Sequence, residues 1–170
     1  MSQKKLELSE SLEDYLEIIL DLETMHKVAR PKDIAEKMGV QRGTVTGALK
    51  ALEKRNLINY EPYSLITLTR TGARIARELA RRHAVLKDFL DRVLQIDPET
   101  ADAIACRMEH AMDKHSFDKF VRFLDFLDNC PRTGPDWIES FVTYCASLER
   151  NPDVCRECLD RCMDRHRAVK

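Results

Sequence analysis

The sequence contains no hydrophobic run that approaches the roughly 20 residues needed to cross a bilayer, and 34% of its side chains are charged. Both features exclude an integral helical membrane protein. Glycine and proline are scarce, with 5 and 6 among 170 residues. Together with long stretches of 3.6-residue periodicity, this scarcity indicates a mainly α-helical chain. The polar start at Met1–Leu6 lacks the pattern of a signal peptide, so we expect a cytoplasmic protein.

The formal net charge of −1 hides an uneven distribution of charge. Residues 26–74 carry ten basic and four acidic side chains, a balance of +6, and the rest of the chain carries the compensating acid. A basic segment beside an acidic remainder is typical of a DNA-facing surface joined to a separate regulatory part. On this observation alone, an ordinary solvated mixture of charges is the alternative.

Six cysteines are present, and four of them lie late in the chain, at Cys145, Cys155, Cys158 and Cys162. In a reducing compartment such crowding indicates metal binding or buried thiols. The last three share one helical face with His166, but a single straight helix cannot wrap one ion with all four side chains. A structural zinc ion, an iron–sulfur cluster and a thiol-rich packing stripe therefore stay open for this segment.

Helix and strand signals predict a winged helix-turn-helix followed by further helices. Two short β-favourable runs come directly after a tight helix pair, and this order removes most false positives of a helix-turn-helix pattern. Asp97 and Ser116 are the predicted N-caps of two later helices, and residues 130–135 are the best candidate linker. The predicted helices cover Ser9 or Ser11 to Leu22, Arg30–Gly39, Arg42–Asn56, Thr69 or Thr71 to Val93, Asp97–Lys114 and Ser116–Asn129, with two more beyond the linker, and the predicted strands are Leu57–Tyr60 and Leu65–Thr69.

The second helix of the predicted pair presents short polar and basic side chains outward, which suits insertion into a major groove. Ala35 is small where the two helices would cross, and Gly39 can adopt the positive φ that the turn requires. Gly47 inside the reading helix either allows close approach to DNA or is a neutral surface glycine. We expect contacts at or near base edges from Gln41, Arg42, Thr44 and Thr46, and phosphate contacts from Arg30, Lys50, Tyr63 and Ser64, although any one of them taken singly fits a solvated surface.

Two groups of donor side chains and one single histidine are candidate metal ligands. Cys106, Glu109 and His110 stand at i, i+3 and i+4, so a thiol, a carboxylate and an imidazole share one helical face within a turn. Such a set is poor core material, and a divalent cation would satisfy all three donors. The other candidates are more often structural when taken singly: two carboxylates one turn apart on the first helix, Asp14 and Glu17, and His83 within an apolar stripe.

These motifs resemble the diphtheria-toxin-repressor family of iron- and manganese-dependent regulators. The resemblance covers roughly residues 8 to 130 and extends over every predicted element of that region. The matching segments are Glu13-Asp-Tyr-Leu-Glu17, Asp33-Ile-Ala35, Thr44-Val-Thr46, Leu68-Thr-x-x-Gly72, Arg82-His83 and Cys106-Arg-x-Glu-His110.

The resemblance implies a homodimer whose metal site spans the hinge between a DNA-binding and a dimerisation domain. The metal would act as corepressor, and its targets would be metal-homeostasis genes. Carried over position by position, Asp14 and Glu17 would bind from the first helix, His83 from the linking helix, and Cys106, Glu109 and His110 from the dimerisation helix.

The chain mixes two branches of this family. Asp14 matches the manganese branch, in which a carboxylate stands at the position of Cys106. Cys106 matches the iron branch, in which methionine stands at the position of Asp14. Thiolate favours Fe(II), Co, Ni or Zn, whereas additional carboxylates favour Mn(II). We therefore expect Fe(II) or Mn(II), with Fe(II) slightly ahead, although the chain is too short for the SH3-like third domain of the iron branch.

The sequence thus predicts a metal-dependent repressor that binds a palindromic operator in double-stranded DNA as a homodimer. The expected domains are the DNA-binding residues 1–74, a helical metal-binding and dimerisation domain at 75–130, and a cysteine-rich helical extension at 131–170. A redox or zinc sensor that acts through the terminal cysteines is the alternative. A metalloenzyme is disfavoured because no nucleophile or acid–base pair stands apart from the metal ligands.

Overall fold

The computed structural model describes residues 8–26, 28–60, 65–129 and 135–146, together with isolated positions beyond residue 150. The chain divides into two compact units, Met1–His83 and Ala84–Lys170. The expected domain boundaries after residues 74 and 130 stay predictions. None of the helices in these ranges combines the length and the apolar character that a membrane-spanning segment needs.

The first unit is a winged helix-turn-helix, as predicted. The wing is a two-stranded antiparallel hairpin in which Ile58 pairs with Leu68 and Asn59 with Thr67. A single residue pair, Ala29 with Ile66, extends it on the other edge. The elements are α1 (Glu10–His26), α2 (Pro31–Met38), α3 (Arg42–Lys54), β1 (Ile58–Asn59), β2 (Thr67–Leu68) and α4 (Arg70–Asp88), which continues into the second unit.

The turn between α2 and α3 follows directly from the local sequence. Pro31 occupies the first helical position of α2, where a missing N–H costs nothing. Gly39 ends the helix with a φ of 64°, a left-handed conformation that glycine adopts without strain. The Val40 amide then donates to the Ala35 carbonyl at 3.1 Å, which satisfies one of the last free carbonyls of the helix.

Apolar side chains of every element of this unit form one core. In α1 the buried positions recur along one stripe, because they lie three or four residues apart. Burial raises the pKa of the Tyr15 hydroxyl. The fully buried core includes Tyr15, Leu16 and Ile19 of α1, Ile34 of α2, Val45, Leu49 and Leu52 of α3, Leu57 and Ile66 of the wing, and Ala76 of α4.

Thr69 joins the wing to α4. Its amide donates to the Leu57 carbonyl at 3.0 Å, and its hydroxyl oxygen accepts from the Gly72 amide at 3.1 Å. Thr69 therefore caps α4, one of the two predicted alternatives. Gly72 packs so closely against Leu57 that an added Cβ would overlap the carbonyl oxygen of that residue. The first turn of α4 is thus held directly against the chain that leaves α3.

The second unit begins with the last residues of α4 and a π-helical turn at Phe89–Val93. Three α-helices follow: α5 (Pro98–Ala111), α6 (Lys114–Asn129) and α7 (Pro135–Ala146). The cap of α5 is Asp97, as predicted, and its carboxylate accepts from the Thr100 amide at 3.0 Å. This backbone hydrogen bond lowers the pKa of Asp97.

The predicted start of α6 is wrong. Asp113, not Ser116, is its cap, because the Asp113 carboxylate accepts from the Ser116 amide at 2.9 Å and the helix begins at Lys114. This hydrogen bond also lowers the pKa of Asp113. The earlier start leaves Phe117 in the first turn, where it is fully buried. The adjoining prediction is corrected with it, since α5 ends at Ala111 rather than near Lys114.

A smaller core holds the second unit together. Phe117 packs there with Leu86, Leu90, Ala101 and Ala105. At the surface, Arg92 of the π-helical turn donates to both carboxylate oxygens of Asp128 on α6, at 2.9 and 3.2 Å, and these hydrogen bonds raise its pKa. A bidentate pair of this kind fixes the orientation of the guanidinium group.

Candidate metal centre and nucleic-acid interface

The two carboxylates of α1 lie at the margin of its buried stripe. Tyr15, Leu16 and Ile19 face the core, which leaves Asp14 and Glu17 half-buried beside it. The i, i+3 spacing places these two side chains next to each other on the helix surface. Packing of the apolar stripe therefore fixes where both carboxylates point.

His83 is the last residue of the first unit and lies on α4. Its side chain is half-buried, as expected for a position within an apolar stripe. Both the structural and the ligand interpretation of this histidine fit that environment. Its role as a ligand stays a prediction.

Three donors of the second unit lie within five residues of one another on α5. A ring nitrogen of His110 is within 4.8 Å of the Cys106 sulfur. The Nε2 atom of His110 is also 3.6 Å from the Oε1 atom of Glu109. The imidazole is 5% exposed and the Glu109 carboxylate is fully buried, whereas Cys106 is half-buried. Thiol, carboxylate and imidazole thus meet around His110.

Glu109 interrupts a stripe of alanines. The buried residues of α5 are Ala101, Ala105 and Glu109, each four residues after the last, so the glutamate stands where the periodicity calls for an apolar side chain. It is also the single charged residue that is buried in the described part of the chain. Because an ionised carboxylate is costly to remove from water, its presence here indicates chemistry rather than packing.

The reading helix α3 exposes most of the side chains that the sequence assigned to DNA. Arg30, which precedes α2, is exposed as well. Thr46 differs because it is half-buried and its hydroxyl donates to the Arg42 carbonyl at 3.1 Å. The exposed members of the predicted set are Arg30, Gln41, Arg42, Thr44 and Lys50.

Two glycines on α3 leave one face of the reading helix without side chains. Gly43 and Gly47 are both exposed, and a Cβ built on either would meet nothing within 4 Å. Their i, i+4 spacing places them on the same face. Gly43 was missed in the sequence, although this spacing from Gly47 could have identified it.

Replacing Gly47 with alanine should separate stability from DNA binding. We expect the free energy of unfolding to rise by about 0.5–1 kcal/mol, because alanine is favoured over glycine inside a helix. If the bare face approaches DNA, the added methyl should nevertheless weaken duplex binding roughly tenfold, or about 1.4 kcal/mol. Urea unfolding and DNA titration measure the two effects. Unchanged affinity would mean that Gly47 is a neutral surface residue.

Several predicted site residues lie outside the residues that the structure describes. These are Tyr63 and Ser64 at the expected wing tip, and Cys155, Cys158 and Cys162 in the expected cysteine-rich extension. Cys145 is described, and its thiol is exposed on α7.

The comparisons with known proteins cover both units. Residues 7–66 match the family described as iron dependent repressor, N-terminal DNA binding domain. Residues 69–138 match the iron dependent repressor, metal binding and dimerisation domain.

Two related proteins are regulators by name. An HTH-type transcriptional regulator from Methanocaldococcus jannaschii is 33% identical over 119 residues, which cover 69% of this chain and 95% of that protein. The transcriptional regulator MntR of Escherichia coli O6:H1 is 37% identical over 114 residues, which cover 67% of this chain and 73% of that one.

A solved structure of a regulator is also similar to this chain. The manganese regulator SloR aligns with a TM-score of 0.61 and 29% identity, over 71% of this chain and 56% of that one. The present chain therefore spans a little over half the length of that regulator. With both family domains matched in order, this chain belongs to the diphtheria-toxin-repressor family of iron- and manganese-dependent transcriptional regulators.

Proposed function

We propose that this chain is a repressor for which a divalent transition metal, Fe(II) or Mn(II), is the corepressor. The observation that carries the proposal is the buried carboxylate of Glu109 beside His110 and Cys106, in a chain that also presents a reading helix. Thiolate, imidazole and carboxylate together fit a first-row divalent cation. The protein would act in the cytoplasm, where thiols stay reduced.

The proposed ligand set combines the α5 donors with Asp14, Glu17 and His83 of the first unit. A divalent cation supplies the positive charge that allows several anionic donors to share one position. Without that charge, the carboxylates and the thiolate repel one another, and α1 is held less firmly. The metal-free and metal-bound states thus differ in how freely α1 moves. A metal ion that binds better to the state with α1 held in place shifts the population towards that state.

Holding α1 would also position the reading helix. Tyr15 and Ile19 of α1 lie in the same core as Ile34 of α2 and Leu49 of α3, so α1 moves together with the helix pair. In a homodimer, two α3 helices held about 34 Å apart would match successive major grooves of a palindromic operator. The regulated genes would then be those of metal homeostasis.

The donor chemistry supports two metals for this site. Cys106 favours Fe(II), and the carboxylates favour Mn(II). At the terminal cysteines, including Cys145, we propose a structural Zn(II) on the basis of ligand type alone. Elemental analysis of protein purified without oxygen distinguishes these cases by the number and kind of ions per chain.

Metal-dependent DNA binding is the direct test of the proposed function. The probe is a duplex selected from a random-sequence library by the wild-type protein in the presence of Mn(II). We expect added Mn(II) or anaerobic Fe(II) to tighten binding by about 5- to 150-fold, the usual range of coupling between two sites. A chelator should reverse the effect. Equal affinity with metal and with chelator would refute the proposal.

Substitution of the terminal cysteines distinguishes the proposed repressor from the alternative, a redox or zinc sensor that acts through these cysteines. A variant with serine at Cys155, Cys158 and Cys162 should keep the full response to Mn(II), because these residues are absent from the proposed ligand set. Loss of the response would favour a sensor that acts through the cysteines. The same DNA titration measures both outcomes.

A further inference from the structure

Glu23, near the end of α1, contacts the wing directly. Its Oε1 atom accepts a hydrogen bond from the Leu68 amide of β2 at 2.8 Å, in a half-buried position. Two residues earlier, Asp21 forms an ion pair with Lys37 of α2 at the surface. The same helix that carries Asp14 and Glu17 in its first half therefore contacts the DNA-binding elements with its second half.

The strand geometry explains why a side-chain acceptor is useful at this position. In an antiparallel ladder, the backbone groups of residues two apart point to the same edge. Ile66 uses that edge to exchange both hydrogen bonds with Ala29, at 2.9 and 3.1 Å. Among the residues that the structure describes, this pairing consists of that one residue pair. The next amide on the edge, that of Leu68, donates to the Glu23 side chain.

A carboxylate also gives a stronger contact than a backbone carbonyl would. Hydrogen bonds with an ionised partner are shorter and stronger than those between neutral groups. The contact of Glu23 is partly shielded from water. The ion pair of Asp21 with Lys37 has half-exposed side chains, and such surface pairs contribute little to stability. The contact of Glu23 with β2 is therefore more specific in direction than the ion pair of Asp21 with Lys37.

We propose that Glu23 is a positioning residue that couples the metal-binding helix to the wing. The inference rests on the proposed function: when α1 is held through Asp14 and Glu17, Glu23 holds β2 in register with it. Metal binding then orders the wing as well as the reading helix. In the metal-free protein the wing follows α1 through the same contact and shares its freedom.

Three variants of the 170-residue chain test this coupling. Glu23→Ala removes the acceptor, and Glu23→Gln keeps an amide oxygen that can accept from Leu68. Thr24→Ala is the matched control, because the Thr24 hydroxyl donates only within α1, to the Leu20 carbonyl at 2.8 Å. The readouts are the hydrogen-exchange rate of the Leu68 amide with and without Mn(II), and duplex affinity under both conditions. Thermal unfolding verifies that each variant is folded.

In the wild type, Mn(II) should slow the exchange of the Leu68 amide and tighten duplex binding. In Glu23→Ala the slowing should disappear. The enhancement of duplex binding by Mn(II) should fall roughly tenfold, because a hydrogen bond to a charged group contributes about that much to an equilibrium constant. Glu23→Gln should restore most of both effects, and Thr24→Ala should match the wild type. Binding of Mn(II) itself should change less than twofold in all three.

Two results would overturn the inference while leaving the proposed function intact. One is a Glu23→Ala protein that keeps the wild-type duplex affinity both with and without Mn(II). The other is an equal loss of affinity with and without Mn(II), which would make Glu23 only a stabiliser of the wing. A wild-type protein that ignores Mn(II) in both readouts would instead overturn the proposed function and this inference together. If Glu23→Ala does not fold, Glu23→Met decides by the same readouts, because it removes the acceptor and keeps the length of the side chain: lost slowing of Leu68 exchange with a reduced enhancement supports the coupling, and either contrary result refutes it.

Discussion

Glu109→Gln should abolish the stabilisation that the metal provides. The variant keeps the shape of the side chain but removes the charge that makes it a good ligand. At a metal concentration 100 times the dissociation constant, a bound ion stabilises a folded protein by about 2.7 kcal/mol. We expect this gain to fall below about 0.5 kcal/mol in the variant under the same conditions, and the enhancement of duplex binding to disappear with it. Thermal unfolding with and without Mn(II) measures the difference.

Glu99→Gln is the matched control for this experiment. Glu99 lies in the first turn of the same helix and is exposed, so its amide variant changes the net charge equally without touching the donor cluster. It should behave as the wild type in both assays. A Glu109→Gln protein that kept the full stabilisation by Mn(II) would remove Glu109 from the ligand set and leave its burial without a functional explanation.

Gly72→Ala should have the largest effect on stability of any glycine substitution in the first unit. The added Cβ would overlap the Leu57 carbonyl oxygen and come within 2.9 Å of its carbonyl carbon. Both atoms belong to the backbone, so no side chain can rotate away. Overpacking against a fixed neighbour costs typically 1–3 kcal/mol, and we expect a loss of about 3 kcal/mol because the wing and α4 must separate.

Urea unfolding of Gly72→Ala beside Gly47→Ala checks this expectation. Both variants add one methyl group to a helical glycine, but only Gly72 has a close neighbour. The two changes in unfolding free energy should therefore have opposite signs. A loss below about 1 kcal/mol for Gly72→Ala would mean that the junction between the wing and α4 can relax, contrary to the usual cost of core overpacking.

The fold of the first unit could be predicted because its signals are local. Pro31 and Gly39 bound α2 through their own backbone preferences, and Thr69 caps α4. The same holds in the second unit, where Asp97 caps α5. The family prediction is confirmed as well, since its motifs depend on residue type and spacing. In each case the property that decides the structure lies within a few residues of the position it affects.

Competing local signals explain the errors. Asp113 and Ser116 are both good N-caps, and the structure uses the earlier one, whose carboxylate accepts from the Ser116 amide. The π-helical turn at Phe89–Val93 could not be predicted, because a pattern with a period of 3.6 does not reveal one inserted residue. The φ of 56° at Gln95, which follows that turn, gave no signal either.

The chemistry of the candidate site could be predicted further than its geometry. Cys106, Glu109 and His110 were identified from donor type and spacing. The full burial of Glu109 depends on how the helix packs, which spacing alone does not give. The contact of Glu23 with Leu68 joins residues 45 positions apart, and no local pattern marks it. Long-range hydrogen bonds of this kind require coordinates.

Thr46 illustrates how an internal hydrogen bond limits what a reading helix can offer to a partner. Its hydroxyl proton is already committed to the Arg42 carbonyl. What remains for an outside partner is a methyl group and an oxygen lone pair. A base edge that meets this side chain would encounter hydrocarbon, which suits the C5-methyl group of thymine, or a weak acceptor. The Thr46 hydroxyl could donate to an acceptor atom on a base only if its hydrogen bond to the Arg42 carbonyl were broken.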